Sequence, residues 1–312
     1  MVKGNITSRR RKTNHSLVCT VTASEETQPN EAQHNTTREV QFARSYGSQA
    51  LTAKIPNLTK CLKGASVSVK DRAMAIDLMC QKLGGTATGH RSVEFFRSVT
   101  VMDLCLKYGS KDKEELDIGL AALAALFISI KYDNNVQPGK PLLAKLVEGT
   151  GVSTAQVLMA ELEVLKELGF TLKYTCWFEL YCDAHHRYFH DLDNDVKEIK
   201  DLGLEILALC ALDPRFNDIC ANRLVISALR LAIQYFFNKQ LKKLPKPCDR
   251  GLMSILSCRQ DFLVDRIVDD IGDELYLKAT VTKIKKHLKA VTASFKWCEY
   301  LLCATILDFR FV

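Results

Sequence analysis

The sequence around residue 185 holds the one group of side chains with the types and spacing of a metal site. Cys182 and His186 are four residues apart and would share one face of a helix, with Asp183 and His185 beside them. A structural zinc site needs four ligands and a catalytic one needs three, and no further cysteine or histidine is spaced to complete the set. We therefore predict that the chain binds no metal.

No other stretch has the pattern of an active site. The acidic segment VDDIGDE, from Val268 to Glu274, is typical of a solvated helix end, and no glycine-rich phosphate loop follows a strand. None of the twelve cysteines forms a CxxC pair, which favours free thiols in a reducing compartment. The sequence predicts a protein that is not an enzyme and holds no cofactor.

Four charged residues occupy positions where an apolar side chain is expected. Arg72, Asp103, Lys131 and Glu161 each lie three or four residues from apolar neighbours, on the apolar face of a predicted helix. Charged groups are rarely buried without a partner. We predict an internal pair of Arg72 with Asp103, whereas Lys131 and Glu161 face outward, reserved for the main chain of a second protein. Mutual pairing of Lys131 and Glu161 inside the monomer, or their separation on unrelated surfaces, would overturn the second assignment.

The elements that would position these charges are helices. From about residue 67 onward, apolar residues recur at intervals of three and four, and strand-like alternation is absent. Ser153 and Gln156 have the spacing of a capping box, and Gly169 stands where a helix ends in a left-handed turn. The predicted helices of this first block are 68–83, 91–107, 114–132, 140–148 and 153–168.

A second helical block follows, from about residue 174 to 292, and its third helix is similar to the third helix of the first block. When Tyr132 is superposed on Tyr235, the alanines and leucines of the two segments align, whereas Lys131 meets Gln234. This favours a duplicated five-helix unit with a small-residue helix at the centre of each copy. The sequence therefore predicts an all-α fold of two five-helix bundles.

The chain has 312 residues and a net charge of +7, most of it near the amino terminus. Residues 1–66 hold ten Lys or Arg and four acids, which leaves +1 on the rest. A nucleic-acid-binding domain usually carries its positive charge on the folded part, so nucleic acid is not an expected partner.

The first 60 residues are polar with few aromatic side chains, which predicts a disordered tail. Their SRRRK segment, Ser8–Lys12, fits either a nuclear import signal or a solvated basic tail. No secretory signal is predicted, and no apolar run reaches the roughly 20 residues of a membrane span.

Four segments resemble the cyclin box in order and spacing. They are RAMAIDLM from Arg72, SVTVMDLCL from Ser98, LAALAALFISIKYDNNVQP from Leu120 and AELEVLKELGFTL from Ala160. The resemblance is good over 67–175, looser over 195–240 and weak beyond, and the A/B mitotic-type cyclins are the most similar, although this chain is divergent. It implies tandem cyclin folds behind the tail, with domain limits at 1–60 (tail), 61–172 (first cyclin box), 173–292 (second cyclin-like domain) and 293–312 (carboxy-terminal tail).

The resemblance also implies a function. Cyclins bind a cyclin-dependent serine/threonine kinase as a heterodimer and activate it, so the expectation is a role in cell division, in the nucleus or the cytoplasm. By motif, Lys131 and Glu161 match the lysine and glutamate that contact the kinase. Leu165, Phe170 and Leu172 match apolar residues that pack on it, and Arg72 and Asp103 match the internal ion pair of the first fold.

This sequence departs from the cyclin pattern at several positions, so some roles of family residues cannot be carried over to it. The tryptophan of the family's first helix is Leu78 here, the residue before Arg72 is Asp71, and a glutamine early in the third helix is Gly119. Those positions form the groove that captures Arg-x-Leu substrate peptides. We therefore predict that docking of substrate proteins through Met74 and Leu78 is lost.

A second interpretation uses the same helical unit differently. General transcription initiation factors and pocket proteins hold DNA or peptides on a cyclin fold without activating a kinase. The nearly neutral folded part argues against DNA, and the Lys131 and Glu161 positions favour the kinase.

Overall fold

The computed structural model describes residues 58–64, 67–84, 89–108, 117–134, 140–189, 196–243, 254, 257–261, 263–265 and 274–306. Within these ranges every regular element is a helix and no β-strand occurs, which confirms the predicted all-α fold. All of these residues belong to one compact unit. The predicted disordered tail up to residue 57, with its SRRRK segment, and VDDIGDE up to residue 273 lie outside the described residues.

A short helix, α1, opens the described part of the chain, and a bundle of five helices follows it. Their bounds are α1 Leu58–Gly64, α2 Val69–Lys82, α3 Val93–Tyr108, α4 Ile118–Asn134, α5 Lys140–Val147 and α6 Thr154–Glu167. The five bundle helices begin and end within about four residues of their predicted limits, because their apolar periodicity marks them clearly.

The centre of this first bundle is α4, which packs against α2, α3, α5 and α6. Ala122, Ala124 and Ala125 are fully buried, and such small side chains let the neighbouring helices approach closely. A helix that is surrounded on nearly all sides needs apolar residues all round, which explains why α4 lacks a polar face in its middle turns.

A second group of helices follows, consisting of α7 Trp177–Phe189, α8 Val196–Ala211, α9 Ala221–Lys243 and α10 Glu274–Ser294. Short helical pieces also occur at 257–261 and 263–265. The central helix is α9, which packs against α7, α8 and α10 and buries Ala228 and Ala232 completely. The expectation that a small-residue helix lies at the centre of each bundle is therefore confirmed.

Capping interactions fix where two helices of the first bundle begin. Ser153 accepts a hydrogen bond from the main-chain N–H of Gln156, whose side chain accepts one in return from the N–H of Ser153, as the capping-box spacing predicts. Ser68 and Asp71 form the same reciprocal pair before α2, which the sequence analysis did not identify. Each cap satisfies main-chain donors that the first helical turn leaves unpaired.

The structure differs from the expectation of a carboxy-terminal tail over 293–312. After α10 ends at Ser294, a last helix, α11, spans Glu299–Ile306 and packs against α2 and α8. The carboxylate of Asp77 on α2 accepts the main-chain N–H groups of Leu301 at 2.8 Å and Tyr300 at 3.3 Å, so it caps the start of α11. A helix this short gives little periodic signal, and its cap comes from a residue more than 220 positions earlier.

Candidate partner-docking surface

Arg72 and Asp103, two of the four charged residues on apolar faces, meet in the interior. From α2, Arg72 donates through Nε to Oδ1 and through Nη2 to Oδ2 of Asp103 on α3, both at 2.7 Å. The residues are 0% and 1% exposed, so the two-pronged contact is dry. This geometry satisfies both carboxylate oxygens, as burial of a charge requires.

Arg72 also reaches the second group of helices. Its Nη1 donates to the main-chain carbonyl of Ala211 at 2.7 Å, at the end of α8. The carbonyls of a last helical turn have no partner within their own helix. Arg72 therefore joins α2, α3 and α8 through one guanidinium, a contact that sequence patterns do not indicate because the acceptor is a main-chain atom.

Lys131 and Glu161 contact each other, which corrects the prediction that both charges are kept for a second protein. Lys131 Nζ, at the end of α4, lies 2.6 Å from Oε1 of Glu161 on α6. The two helices pack side by side, and the long lysine side chain spans the gap between them. The ammonium also lies 5.1 Å from the ring centroid of Phe127, an electrostatically favourable position.

This pair lies at the surface and not in the core. The lysine side chain is 42% exposed and the glutamate side chain 10% exposed. Among the described residues, Glu161 is the one partner that Lys131 has for its three N–H donors. Donors and an acceptor oxygen therefore stay available to a second molecule while the pair is intact.

Three large apolar side chains are exposed on α6, the helix that carries Glu161. They are Leu158, Met159 and Leu162, and Met159 is 67% exposed. Leu158 and Leu162 lie one helical turn apart, and both stand within about 100° of Glu161 around the helix axis. None of the three was predicted as a contact residue, although an apolar run on both sides of a helix is a signal that could have found them.

The turn after α6 presents a further aromatic ring. Gly169 and Phe170 both have left-handed backbone conformations, with φ of 57° and 56°. Phe170 N–H donates to the carbonyl of Leu165 at 2.8 Å and Gly169 N–H to that of Lys166 at 3.0 Å, which is the Schellman pattern. Gly169 thus ends the helix as predicted.

Phe170 is unusual because it is both strained and exposed. A non-glycine residue with a left-handed backbone conformation is less stable than glycine there by roughly 1–2 kcal/mol. The Phe170 ring is nevertheless 64% exposed, so burial contributes little to offset this strain. Leu165 and Leu172, the other two predicted contact residues, are half-buried and pack against the core. We define Lys131, Leu158, Glu161, Leu162 and Phe170 as the α6 surface.

A second buried cluster of charges lies beside Tyr132 and was missed by the sequence analysis. Arg97 on α3 donates to Asp133 of α4 at 3.0 Å and to Glu179 of α7 at 2.8 Å, and its guanidinium lies 4.6 Å from the Tyr132 ring centroid. The three charged side chains are each less than 10% exposed. One cation therefore serves two carboxylates.

The shared cation predicts an unusual pH dependence. Burial raises the pKa of Asp133 to about 6, and the charges of Glu94 and Glu179 act in the same direction against Arg97. Between about pH 4 and 6 the folded state holds a proton at Asp133 that the unfolded state has lost, so this residue's contribution to stability falls as the pH rises through that window. Through Asp133, the free energy of unfolding falls by at most about 1.4 kcal/mol for each pH unit in this window.

We expect Asp133→Asn to remove this contribution. Urea unfolding at pH 4.5, 5.5 and 6.5 should show the wild type losing stability relative to the variant as the pH rises. Parallel stability profiles of the two proteins over this range would contradict the assignment.

The residues of the predicted lost substrate groove lie on α2. Met74 is 47% exposed, while Leu78 is half-buried against the core. Next to them, Gln81 donates to the hydroxyl of Tyr300 at 2.8 Å, so α11 covers part of the same helix. Whether substrate proteins dock there stays a prediction.

The described part of the chain contains no group of three or more His, Cys, Asp or Glu side chains placed to hold a metal ion. His185, from the Cys182–His186 segment, stacks on Phe189 with ring centroids 4.8 Å apart. No described helix has both the length and the apolar character to cross a membrane.

Comparisons with known proteins add a distant structural likeness. No protein-family model matches the sequence, and no curated protein matches it. A chain in the structure of the CAK complex from Chaetomium thermophilum, bound to ATP-gamma-S, is similar with a TM-score of 0.44 and 13% sequence identity. The likeness covers 88% of this chain and 81% of that chain. It is too distant to show the family of this chain.

Proposed function

We propose that this chain is a cyclin-type regulatory subunit that binds a cyclin-dependent protein kinase as a heterodimer and activates it, in cell-cycle control within the nucleus or the cytoplasm. The observation that carries the proposal is the α6 surface, which lies in the segments that resemble the cyclin box. Large apolar side chains exposed side by side are typical of a surface that binds another protein.

The action would be mechanical and not chemical. A kinase of this class is active only when its Lys–Glu ion pair is assembled, which requires its αC helix to move inward. A subunit that binds the inward form alone shifts the population toward it. Moving the balance from 1:99 to 99:1 takes about 5.5 kcal/mol of differential affinity, and a few apolar side chains that become buried on binding, such as Phe170, can supply most of it.

The Lys131–Glu161 pair would bind the kinase only through the donors and the acceptor oxygen that the two side chains do not use on each other. Because the two groups already neutralise each other, docking leaves no isolated charge to be desolvated. Their remaining donors and acceptor would satisfy main-chain groups of the kinase that the interface shields from water. Truncating either residue would leave such a group unsatisfied, at a cost of about 1–3 kcal/mol.

We expect Lys131→Ala or Glu161→Ala to lower the histone-kinase activity that co-purifies with the tagged chain by about fivefold or more, since 1.4 kcal/mol is tenfold in affinity. Because the lysine end of the pair is solvent-exposed, the loss of stability from either change should stay small beside a total of about 5–15 kcal/mol. Mass spectrometry of the co-purified material identifies the kinase.

The control is another interhelical Lys–Glu pair, whose lysine is about as exposed as Lys131 and whose glutamate is more exposed than Glu161. Lys239 on α9 and Glu198 on α8 lie 2.8 Å apart, with side chains 44% and 41% exposed. Lys239→Ala and Glu198→Ala should leave the co-purified activity unchanged. Absence of any kinase in the wild-type preparation would refute the proposal and favour the transcription-adaptor interpretation.

A further inference from the structure

The charge of the folded part is not evenly spread. Residues 275–298 contain six lysines and neither aspartate nor glutamate. Since residues 67–312 carry only +1 in total, the rest of that region is net negative. The nearly neutral average therefore hides a strongly positive segment, which is α10 and the turn after it.

The lysines of α10 lie outside and its apolar residues lie inside. Leu277, Ile284 and Leu288 are at most 1% exposed, and α10 packs with this side against α8 and α9. Every α10 lysine is exposed. At about 100° per residue, Lys278, Lys285 and Lys289 fall within an arc of about 40°. We define these three together with Lys286, which lies next to the row, as the lysine face.

Within the described ranges, most of the lysine face has no counter-charge. Lys278 pairs with Glu274 at 2.6 Å in the first turn of α10. Among the described residues, no carboxylate pairs with Lys285, Lys286 or Lys289. His287, between them in sequence, is buried, and burial lowers its pKa, so it adds no positive charge near pH 7. Three neighbouring ammonium groups therefore repel one another unless an anion neutralises them.

The shape of this face decides what kind of anion it fits. Lys278 to Lys289 spans about 16 Å along the helix axis at 1.5 Å per residue, so the face suits an extended polyanion better than a single phosphate group. The exposed positions beside the lysines are small or carry a hydroxyl, for example Ala279, Thr282 and Ala290. A backbone can approach such positions closely, whereas an acidic peptide would gain more from apolar contacts than they offer.

We propose that the lysine face of α10 binds the phosphate backbone of double-stranded nucleic acid without reading its sequence. One strand of duplex DNA carries a phosphate charge about every 3.4 Å of helix axis, so a 16 Å row of lysines can lie beside about five of them. Lysines act here as point charges, and the face holds no Arg, Asn or Gln that could read base edges in a groove. This binding is independent of the α6 surface and adds a nucleic-acid contact that net charge alone does not predict.

The test is fluorescence anisotropy of the full chain with a labelled 20-base-pair DNA of mixed sequence, over 50–200 mM salt. The variant is Lys285→Gln with Lys286→Gln and Lys289→Gln. We expect its affinity at 100 mM salt to be at least tenfold lower. The slope of log affinity against log salt should become shallower by about 2 to 3, since each lost phosphate contact removes about 0.9.

The control removes the same charge elsewhere, by Lys145→Gln with Lys197→Gln and Lys242→Gln, three exposed lysines outside α10. Wild type, variant and control share the basic residues of 1–66, so the difference between variant and control reports the lysine face alone. Equal loss in variant and control would overturn the proposal. So would displacement of the DNA by polyglutamate at an equal concentration of charge, because the face would then prefer an acidic protein segment.

Discussion

Arg72→Met is expected to lower the free energy of unfolding by about 3–5 kcal/mol, the usual cost of removing one partner from a buried ion pair. The change leaves the carboxylate of Asp103 buried without its cation and the carbonyl of Ala211 without a donor. Since domains of this kind are stable by only about 5–15 kcal/mol, the variant should unfold at much lower urea concentrations. Far-UV circular dichroism during urea titration measures the change.

Two further proteins distinguish a lost charge pair from lost packing. The double variant Arg72→Met with Asp103→Leu replaces both charges by apolar groups and should recover much of the loss. Arg187→Met removes an arginine of an exposed pair with Asp183, with side chains 62% and 48% exposed, and should change stability by less than about 0.5 kcal/mol. A loss below 1 kcal/mol in Arg72→Met would show that the contact contributes little.

Phe170→Gly is expected to separate binding from stability. Losing this exposed aromatic ring of the α6 surface should weaken binding of the co-purified kinase by about 2 kcal/mol or more, roughly thirtyfold. Glycine adopts the left-handed conformation without strain, which offsets the greater freedom it has in the unfolded chain. Stability should therefore stay equal to the wild type or rise slightly, as measured by thermal unfolding.

Leu275→Ala provides the matched control, because Leu275 is also apolar and is 82% exposed, but lies on α10. It should bind the kinase like the wild type. If Phe170→Gly retains full affinity, the ring is not part of the interface. If the variant instead loses more than about 1 kcal/mol of stability, the ring supports the fold and its exposure has no functional meaning.

The helices were predictable because their apolar periodicity is a local property. The same is true of the caps at Ser153 and Gly169, which need only a few adjacent residues. Arg97 was missed although Asp103 on the same helix was selected. Its partners Asp133 and Glu179 lie on α4 and α7, and the sequence does not contain the distances between these helices and α3.

Pairing between charges was predictable only in part. The sequence placed Arg72 and Asp103 on apolar faces of different helices, and the structure brings them together. The sequence also placed Lys131 and Glu161 on such faces. Whether these two side chains reach each other depends on the distance between α4 and α6, which the sequence does not contain. The exposed leucines and methionine of α6 were overlooked for a related reason, because the exposure of an apolar residue depends on which neighbours cover it.

The contact between Asp77 and the start of α11 has a consequence for how the protein is made. Residue 77 leaves the ribosome long before residues 299–306, yet burial raises the pKa of its carboxyl group and its hydrogen-bond partners belong to that last helix. A nascent chain must therefore hold the first bundle incomplete until residues 299–306 have been made, and closing so long a loop carries an entropic cost. Chaperones would meet this protein with α2 still uncovered, and termination before residue 299 would leave that helix uncovered permanently.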